Sequence, residues 1–317
     1  MSTPARRSLS DARADLLQRW QAQPDPSPFT HPDVCAAAAE AFGLATTVWM
    51  NDHASAVAFE KRVGVGLLSA LALALPPVVP VSAPILTPAP SEADNHHGDT
   101  DLDALIQALS ATYAQATFAL PSSWRDPRPF AWAGWTAESR FTYTVQLPSD
   151  TDTWSSGRRQ TLRSHAETFD VRVDADPPEI AAEFQSEAYQ RKGIAFDPSV
   201  AQMSQIASAM QEAGCLRTVV AWQDEAARAA AVFAVAGTRA TYWLAGSEPG
   251  PAMTVLFANA FEALAAEGVT EIDLGGANVR SVAEFKRQFG ARLAPVFRVR
   301  HVGPRWLREL HAIRQSR

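Results

Sequence analysis

Cysteine is scarce in this chain: Cys35 and Cys215 are the only two in 317 residues, too few and too far apart for a disulfide framework or a cysteine zinc site. A reducing, cytoplasmic setting is expected. The first residues, with Arg6, Arg7, Asp11, Arg13 and Asp15, hold no apolar core, so they read as a loose tail entering a helix and not as a signal peptide. Long hydrophobic runs are missing too. The uncharged stretch from Val63 meets Pro76 after 13 residues and already contains Gly64 and Gly66, short of the roughly 20 residues a membrane span needs. A buried strand followed by a proline-rich cover (Pro76, Pro77, Pro80, Pro84, Pro88, Pro90), lying over apolar surface or lining a groove, is the expectation, with no membrane span.

Excess positive charge is also lacking. A formal charge of −6 excludes broad nonspecific nucleic-acid binding, so no DNA partner is expected and only a local basic patch stays open. There is no His-Glu-x-x-His, Walker A loop, Gly-x-Ser-x-Gly elbow or Gly-x-Gly-x-x-Gly, which removes the familiar hydrolase, kinase and dehydrogenase readings. His96 and His97 sit among acidic residues in the polar stretch Ser91–Thr100. Adjacent loop residues seldom converge on an ion without distant ligands, so a solvated loop is expected and no metal.

What is present is ample apolar material: 47% apolar and 20% charged residues over this length suit two cores. The polar stretch Asp150–Ser156 places the boundary, giving residues 1–150 and 151–317. The first half reads as a helix over Asp101–Gln115 with antiparallel strands over Phe118–Leu120, Arg128–Trp135 and Phe141–Leu147. The second reads as helices over Gly157–Phe169, Pro178–Tyr189 and Pro198–Ala213, then strands over Leu216–Trp222, Ala229–Ala236 and Ala240–Ala245. The helix Pro251–Ala266 carries Met253, Leu256, Phe257, Ala260, Phe261 and Leu264 as one buried stripe. A faint echo links Val48–Asp52 and Ala54–Phe59 to Val220–Asp224 and Ala226–Phe233, each a strand ending near tryptophan, an acidic turn and a second apolar strand.

The richest stretch is 269–290: an apolar strand, the turn Gly275-Gly276-Ala277-Asn278, a short helix with Phe285-Lys286 and Phe289-Gly290, and after it a last strand over Ala294–His301. Further fragments stand in order before it: Ser27-Pro28-Phe29-Thr30-His31-Pro32, Asp126 with Arg128-Pro129-Phe130, Thr142-Tyr143-Thr144, and Trp154 with Arg158, Arg159 and Arg163. Together with Ile272-Asp273-Leu274-Gly275-Gly276 and the F-K-x-x-F-G run, the chain resembles FemAB-like proteins of the GNAT superfamily over most of its length. That resemblance implies an α/β (α+β) fold of two tandem GNAT-like domains, each a mixed, mostly antiparallel sheet flanked by helices; the last helix could pack back on the first domain. It implies an N-acyltransferase or aminoacyltransferase in which the amine of a small-molecule or cell-envelope precursor attacks the donor carbonyl directly. The alternative is a catalytically silent GNAT-like binding or assembly protein in polysaccharide or envelope biosynthesis.

Such transfer needs positive charge or N–H donors where the oxyanion develops, and a route for the amine's proton. Lys286, its stem held between Phe285 and Phe289, resembles the family's motif lysine and is the catalytic candidate, against a lysine merely snorkelling from a core helix. Asp273 could orient the amine or accept its proton. Arg159 and Arg163, at i and i+4, could clamp a phosphate or carboxylate, or form a solvated basic face. Tyr242 lines the cleft or packs between strands, Asn278 contacts substrate or caps the next helix, and Phe285 is a further substrate-binding candidate. No covalently bound cofactor is expected, and the donor is left between acyl-coenzyme A and aminoacyl-tRNA. Lys61-x-x-Gly64-x-Gly66 matches the acetyl-coenzyme A loop only approximately and reads as a strand-end turn. No charged heptad insertion separates Phe169 from Leu216. Lacking such a coiled-coil arm, the chain resembles the compact branch, and tRNA stays possible but not favoured.

Overall fold

The computed structural model describes residues 2–64, 69–87, 100–191 and 193–303. The chain opens with β1 (Ala5–Ser8), α1 (Leu9–Gln21), α2 (Pro32–Ala41), β2 (Ala45–Met50), β3 (Ala54–Val63), β4 (Ala70–Ala74), β5 (Ile85–Leu86), α3 (Thr100–Thr112), β6 (Gln115–Leu120), α4 (Arg128–Trp132) and β7 (Thr136–Gln146). It continues with α5 (Ser156–His165), β8 (Asp170–Val173), α6 (Glu179–Arg191), α7 (Val200–Glu212), β9 (Leu216–Gln223), β10 (Ala226–Ala236), β11 (Arg239–Ser247), α8 (Ala252–Ala266), β12 (Glu271–Asp273), α9 (Arg280–Arg287) and β13 (Arg292–Val302). Two compact units result: the first runs to Arg140 and takes the chain again from Val296, and the second is Phe141–Pro295. The polar stretch at 150–156 therefore lies inside the second unit, because β7, which precedes it, pairs with β12 through Thr144, Val145 and Gln146.

The strand order of the first unit is β1-β2-β3-β4-β6-β13, antiparallel except for β4 beside β6. That of the second is β8-β9-β10-β11-β12-β7, antiparallel except for β11 beside β12. The two units thus repeat one plan, and the faint echo in the sequence falls on its matching hairpins, β2–β3 and β9–β10.

Each core follows from periodicity. In the first unit Leu102, Leu105, Ile106 and Leu109 of α3 meet Ala54, Ala56 and Ala58 of β3 together with Phe118. In the second, the α8 stripe from Met253 to Leu264 packs on Ala229, Ala231 and Phe233 of β10. Ala230, Val232 and Ala234, which point the other way, are buried as well, because α6 packs against this strand too. A strand covered on both faces reads as an unbroken apolar run.

Local readings differ from the structure at two places. Residues 128–132 form a helical turn, not a strand: Pro129 sits in its first turn, and the Asp126 carboxylate accepts from the Arg128 backbone at 3.0 Å and from its guanidinium at 2.8 Å. Aromatic content alone does not oppose that local bonding. Residues 5–8 form an edge strand paired with β2 where the sequence reads as a loose tail, and Ser8 then caps α1 by accepting from Asp11 N. Lys61 lies in β3 opposite Ala72, and Gly64 follows the strand's last residue. His96, His97, Gly66 and the expected last helix lie outside the described residues. No described helix is long and apolar enough to cross a membrane.

One feature of the second unit positions the site. β11 pairs with β12 only over Arg239–Thr241, after which the strands part. Beyond that point α6 lies along β11, where Gln185 Oε1 accepts from Ala245 N at 3.0 Å. The opening so formed begins at Tyr242 and the end of β12.

Candidate active site

The chain leaves β12 at Asp273, and the next four residues are tied down by the neighbouring strand. Leu274 N donates to Tyr143 O at 2.8 Å and Ala277 N to Phe141 O at 3.0 Å. The Asn278 side chain bridges the Phe141 backbone, accepting from its N and donating to its O, both at 3.1 Å. Asn278 is therefore a loop anchor; the helix-cap position belongs to Val279, which makes no side-chain cap.

Asp273 is held through one oxygen. Its Oδ1 accepts from Gly275 N at 2.7 Å and from the Thr142 hydroxyl. Burial raises its pKa above the usual carboxylate range, while Thr142, the Gly275 amide and the positive charge of Lys286 pull it back. Lys286, only 7% exposed, reaches from α9 to the same turn and donates to Gly275 O. Its Nζ lies 5.6 Å from the centre of the Tyr242 ring. Among the described residues the ammonium forms no ion pair, and burial lowers its pKa to about 8 against the opposing pull of Asp273. Tyr242, in turn, packs between Phe233 and Phe257, with ring centres 5.6 and 5.1 Å away. Lys286, Asp273 and Tyr242 thus come together at the point where β11 and β12 part.

Phe285 and Phe289 do a different job. Phe289 is fully buried against Trp154 and Phe257, at 5.0 and 4.7 Å between ring centres, and Phe285 lies 5.1 Å from Phe289. Gly290 ends the motif at φ +71°, and a Cβ there would stand 2.2 Å from Thr153 Oγ1. Three of the four fixed letters of F-K-x-x-F-G therefore serve packing, and the lysine alone reaches the turn at Gly275. Gly290→Ala is expected to cost about 2 kcal/mol in urea denaturation from left-handed strain plus that contact. Thr153→Ala in the same chain should restore part of it, whereas an additive pair would show that the contact is not what costs stability.

Arg159 and Arg163 are not brought to this group. Arg159 donates to Asp152 O at 2.8 Å, and exposed Arg163 approaches Gln160 on its own helix at 3.3 Å. Their neighbour Arg158 is the one built in. Its guanidinium stacks 4.9 and 5.2 Å from the Phe285 and Phe289 ring centres and donates to Gln288 Oε1 at 2.8 Å and Thr254 Oγ1 at 2.9 Å. Burial lowers its pKa.

Thr142 and Arg158 carried no assigned role in the sequence reading. For Thr142 a signal exists: Thr142-x-Thr144 puts two hydroxyls on one strand face. A second signal favours Lys286: it is one of three lysines, with Lys61 and Lys192, in a chain whose 28 Lys and Arg are otherwise arginine. Lysine's pKa can be tuned by burial and arginine's hardly at all. Among the described residues no cluster of three or more His, Cys, Asp or Glu could hold a metal ion.

Residues 153–287 match the family model of an acetyltransferase (GNAT) domain. Among solved structures the chain is similar to the crystal structure of FemX, with a TM-score of 0.68 at 10% identity, covering 90% of this chain and 95% of that one. It is also similar to the C-terminal domain of a putative lysylphosphatidylglycerol synthetase from Agrobacterium fabrum, at TM-score 0.54 and 16% identity over 92% of each chain. A third likeness is to a tandem GNAT protein from the clavulanic acid biosynthesis pathway, at TM-score 0.51 and 12% identity over 95% of this chain and 99% of that one. No curated protein matches the chain. The chain has a FemAB-like fold of tandem GNAT-like units, and the turn bearing Asp273 together with Lys286 lies within its GNAT acetyltransferase match.

Proposed function

We propose that the second unit transfers an acyl or aminoacyl group to an amine of a small-molecule or cell-envelope precursor. The reading rests chiefly on one observation: a buried lysine ammonium, without an ion-pair partner among the described residues, fixed at the parting of β11 and β12. An ammonium carries three donors, of which Gly275 O takes one. The others suit the carbonyl oxygen of a donor entering the opening. The acceptor's neutral amine attacks that carbonyl; a C–N bond forms, the oxyanion is stabilised by Lys286, and the bond to the donor's leaving group breaks. Asp273, made more basic by burial, takes the amine's proton. Thr142 is a positioning residue that fixes the carboxylate through its hydroxyl.

The residues before α8 bear on the donor. The helix begins after Glu248-Pro249-Gly250-Pro251; both prolines lack an N–H, and Glu248 is paired with Arg228 at 2.8 Å. A pyrophosphate would meet few amides there, and the Glu248–Arg228 pair offers it no net positive charge. This favours an ester donor other than acyl-coenzyme A, and the names FemX and lysylphosphatidylglycerol synthetase motivate trying aminoacyl-tRNA.

The protein should be incubated with radiolabelled acetyl-coenzyme A and, separately, with bulk radiolabelled aminoacyl-tRNA, each with an amino sugar or a peptide containing a diamino acid. Label in an acceptor from aminoacyl-tRNA is the expected result; no transfer from either donor would favour the silent binding protein. Where transfer is seen, Thr142→Val and Asp273→Asn should each lower kcat about 10- to 100-fold with KM little changed. A loss confined to KM would move both residues from proton transfer to substrate binding.

A further inference from the structure

Lys286 holds its ammonium away from water, and its own helix supplies little to keep it there. It is the only buried residue of α9. The helix follows Gly275 and Gly276, both at positive φ, and its N-terminus has no side-chain cap. A small rotation of α9 would carry the side chain out of the opening and rehydrate its charge, which burial opposes. A contact from outside the helix is therefore needed to fix its angle.

Arg158 of α5 supplies that contact. Its guanidinium stacks 4.9 Å from the Phe285 ring centre and 5.2 Å from that of Phe289, the two aromatic residues that bracket Lys286. Its Nε donates at 2.8 Å to Oε1 of Gln288, the residue that closes α9. Its Nη1 donates at 2.9 Å to Oγ1 of Thr254, which is fully buried on α8. The Ser155 amide, at the head of α5, adds a bond to Gln288 O at 2.9 Å. One planar group thus joins α9 to α8 through two donors and a face, which the compact ammonium of a lysine could not do.

Packing alone does not call for arginine at this position. α5 buries no residue of its own. Both side chains that Arg158 bonds are neutral, so the half-buried cation is held with no carboxylate among those partners. A leucine or methionine would cover the two rings without the cost of desolvating a charge.

We propose that Arg158 is a positioning residue for Lys286: by fixing α9 between Thr254 and the pair Phe285 and Phe289, it holds the ammonium in the opening beside Gly275 O. The kinetic consequence rests on acyl transfer by Lys286 as proposed above; the burial of the ammonium does not. The titratable groups that face the ammonium are Asp273 from β12, which pulls its pKa up, and Tyr242 from β11, kept neutral by burial.

The test reads Lys286 directly. The chain has three lysines, Lys61, Lys192 and Lys286, so NMR of the full chain made with isotope-labelled lysine follows three side chains, and Lys286→Met identifies one of them. Wild-type Lys286 is expected to titrate near pH 8. In Arg158→Met its midpoint should rise toward 10.5, to above about 9, as the ammonium turns into water. Where transfer is measured, kcat should fall about 10- to 30-fold with KM little changed, and the pH at which kcat declines should move up with the NMR midpoint. Arg158→Lys, which keeps the charge and loses the planar fork, should shift both in the same direction. Gln288→Leu, which leaves Arg158 on the two rings, should also raise the midpoint and decides the matter if Arg158→Met does not fold. A wild-type midpoint already near 10.5, or one that these variants leave unmoved, overturns the proposal. A lower melting temperature with an unmoved midpoint does so too, by making Arg158 a packing contact only. If wild type transfers nothing, the acyl-transfer reading fails, while a raised midpoint in Arg158→Met still supports the positioning role.

Discussion

Lys286→Met is expected to lower transfer about a thousandfold and, at the same time, to make the protein more stable at pH 7. The first effect is that of removing a preorganised donor from a developing oxyanion. The second follows from the lysine's pKa of about 8 in the fold against 10.5 for the free side chain. A lowered pKa means that folding disfavours the charged form. At pH 7 the folded chain bears the full cost of burying the ammonium, of order 3 kcal/mol for a shift of this size. Between about pH 8 and 10.5 the unfolded chain holds the extra proton, so wild-type stability rises with pH across that window. Methionine keeps the apolar stem and removes the charge, but also gives up the bond to Gly275 O. A net gain of about 1–2 kcal/mol at pH 7, with a flattened profile above pH 8, is the expectation in urea denaturation. Activity carries its own signature. If the ammonium stabilises the oxyanion, kcat should fall as pH rises through about 8, when the group loses its proton. A rate rising through the same range would make Lys286 the base instead. A variant less stable than wild type at pH 7 would show the ammonium to be mainly a structural donor.

The fold was legible where periodicity is strong. The α8 stripe, strands β9, β10, β11 and β12 of the second unit and the two echoing hairpins lie where apolar spacing put them, because each faces a core that only one register can fill, whereas the short β8 carried no such signal. It was illegible where local bonding decides. Asp126 and Pro129 turn an aromatic, strand-like stretch into α4, and Ser8 to Asp11 sets where β1 gives way to α1. At the site, the run Phe285 to Gly290 pointed to Lys286, and the structure explains why the other fixed letters stand there: they wedge α9 against Trp154. Sequence spacing could not separate Arg158 from Arg159 and Arg163. All three lie on α5, and which of them meets Phe285, Phe289, Gln288 and Thr254 is settled by tertiary packing. The Asn278 bridge to Phe141 escaped for a like reason, since its partner lies 137 positions away.

Gly246→Ala is expected to be the most destabilising single change, costing more than about 4 kcal/mol, because the new methyl group would meet backbone and not a movable side chain. Gly246 is buried in β11, where a Cβ would stand 2.4 Å from Phe184 O and 2.5 Å from its carbonyl carbon. Either α6 must shift outward or β11 must bend. α6 cannot shift cheaply: Ala181 and Ala182 are fully buried, and Gln185, next to Phe184, holds Ala245 N. β11 cannot bend cheaply either, since Ala229, Ala230 and Ala231 of β10 pair with Ser247, Gly246 and Ala245. Contrast with Gly290 gives the check. Trimming Thr153 should rescue Gly290→Ala, because there the contact is with a side chain, whereas Phe184→Ala should leave Gly246→Ala unimproved. Substantial rescue by Phe184→Ala would mean that α6 and β11 approach through side chains, and that the free edge of β11 beyond Tyr242 is covered more loosely than the geometry requires. If the double variant instead stays as unstable as the single one, the close approach of α6 to β11 is a fixed wall of the opening into which Lys286 reaches.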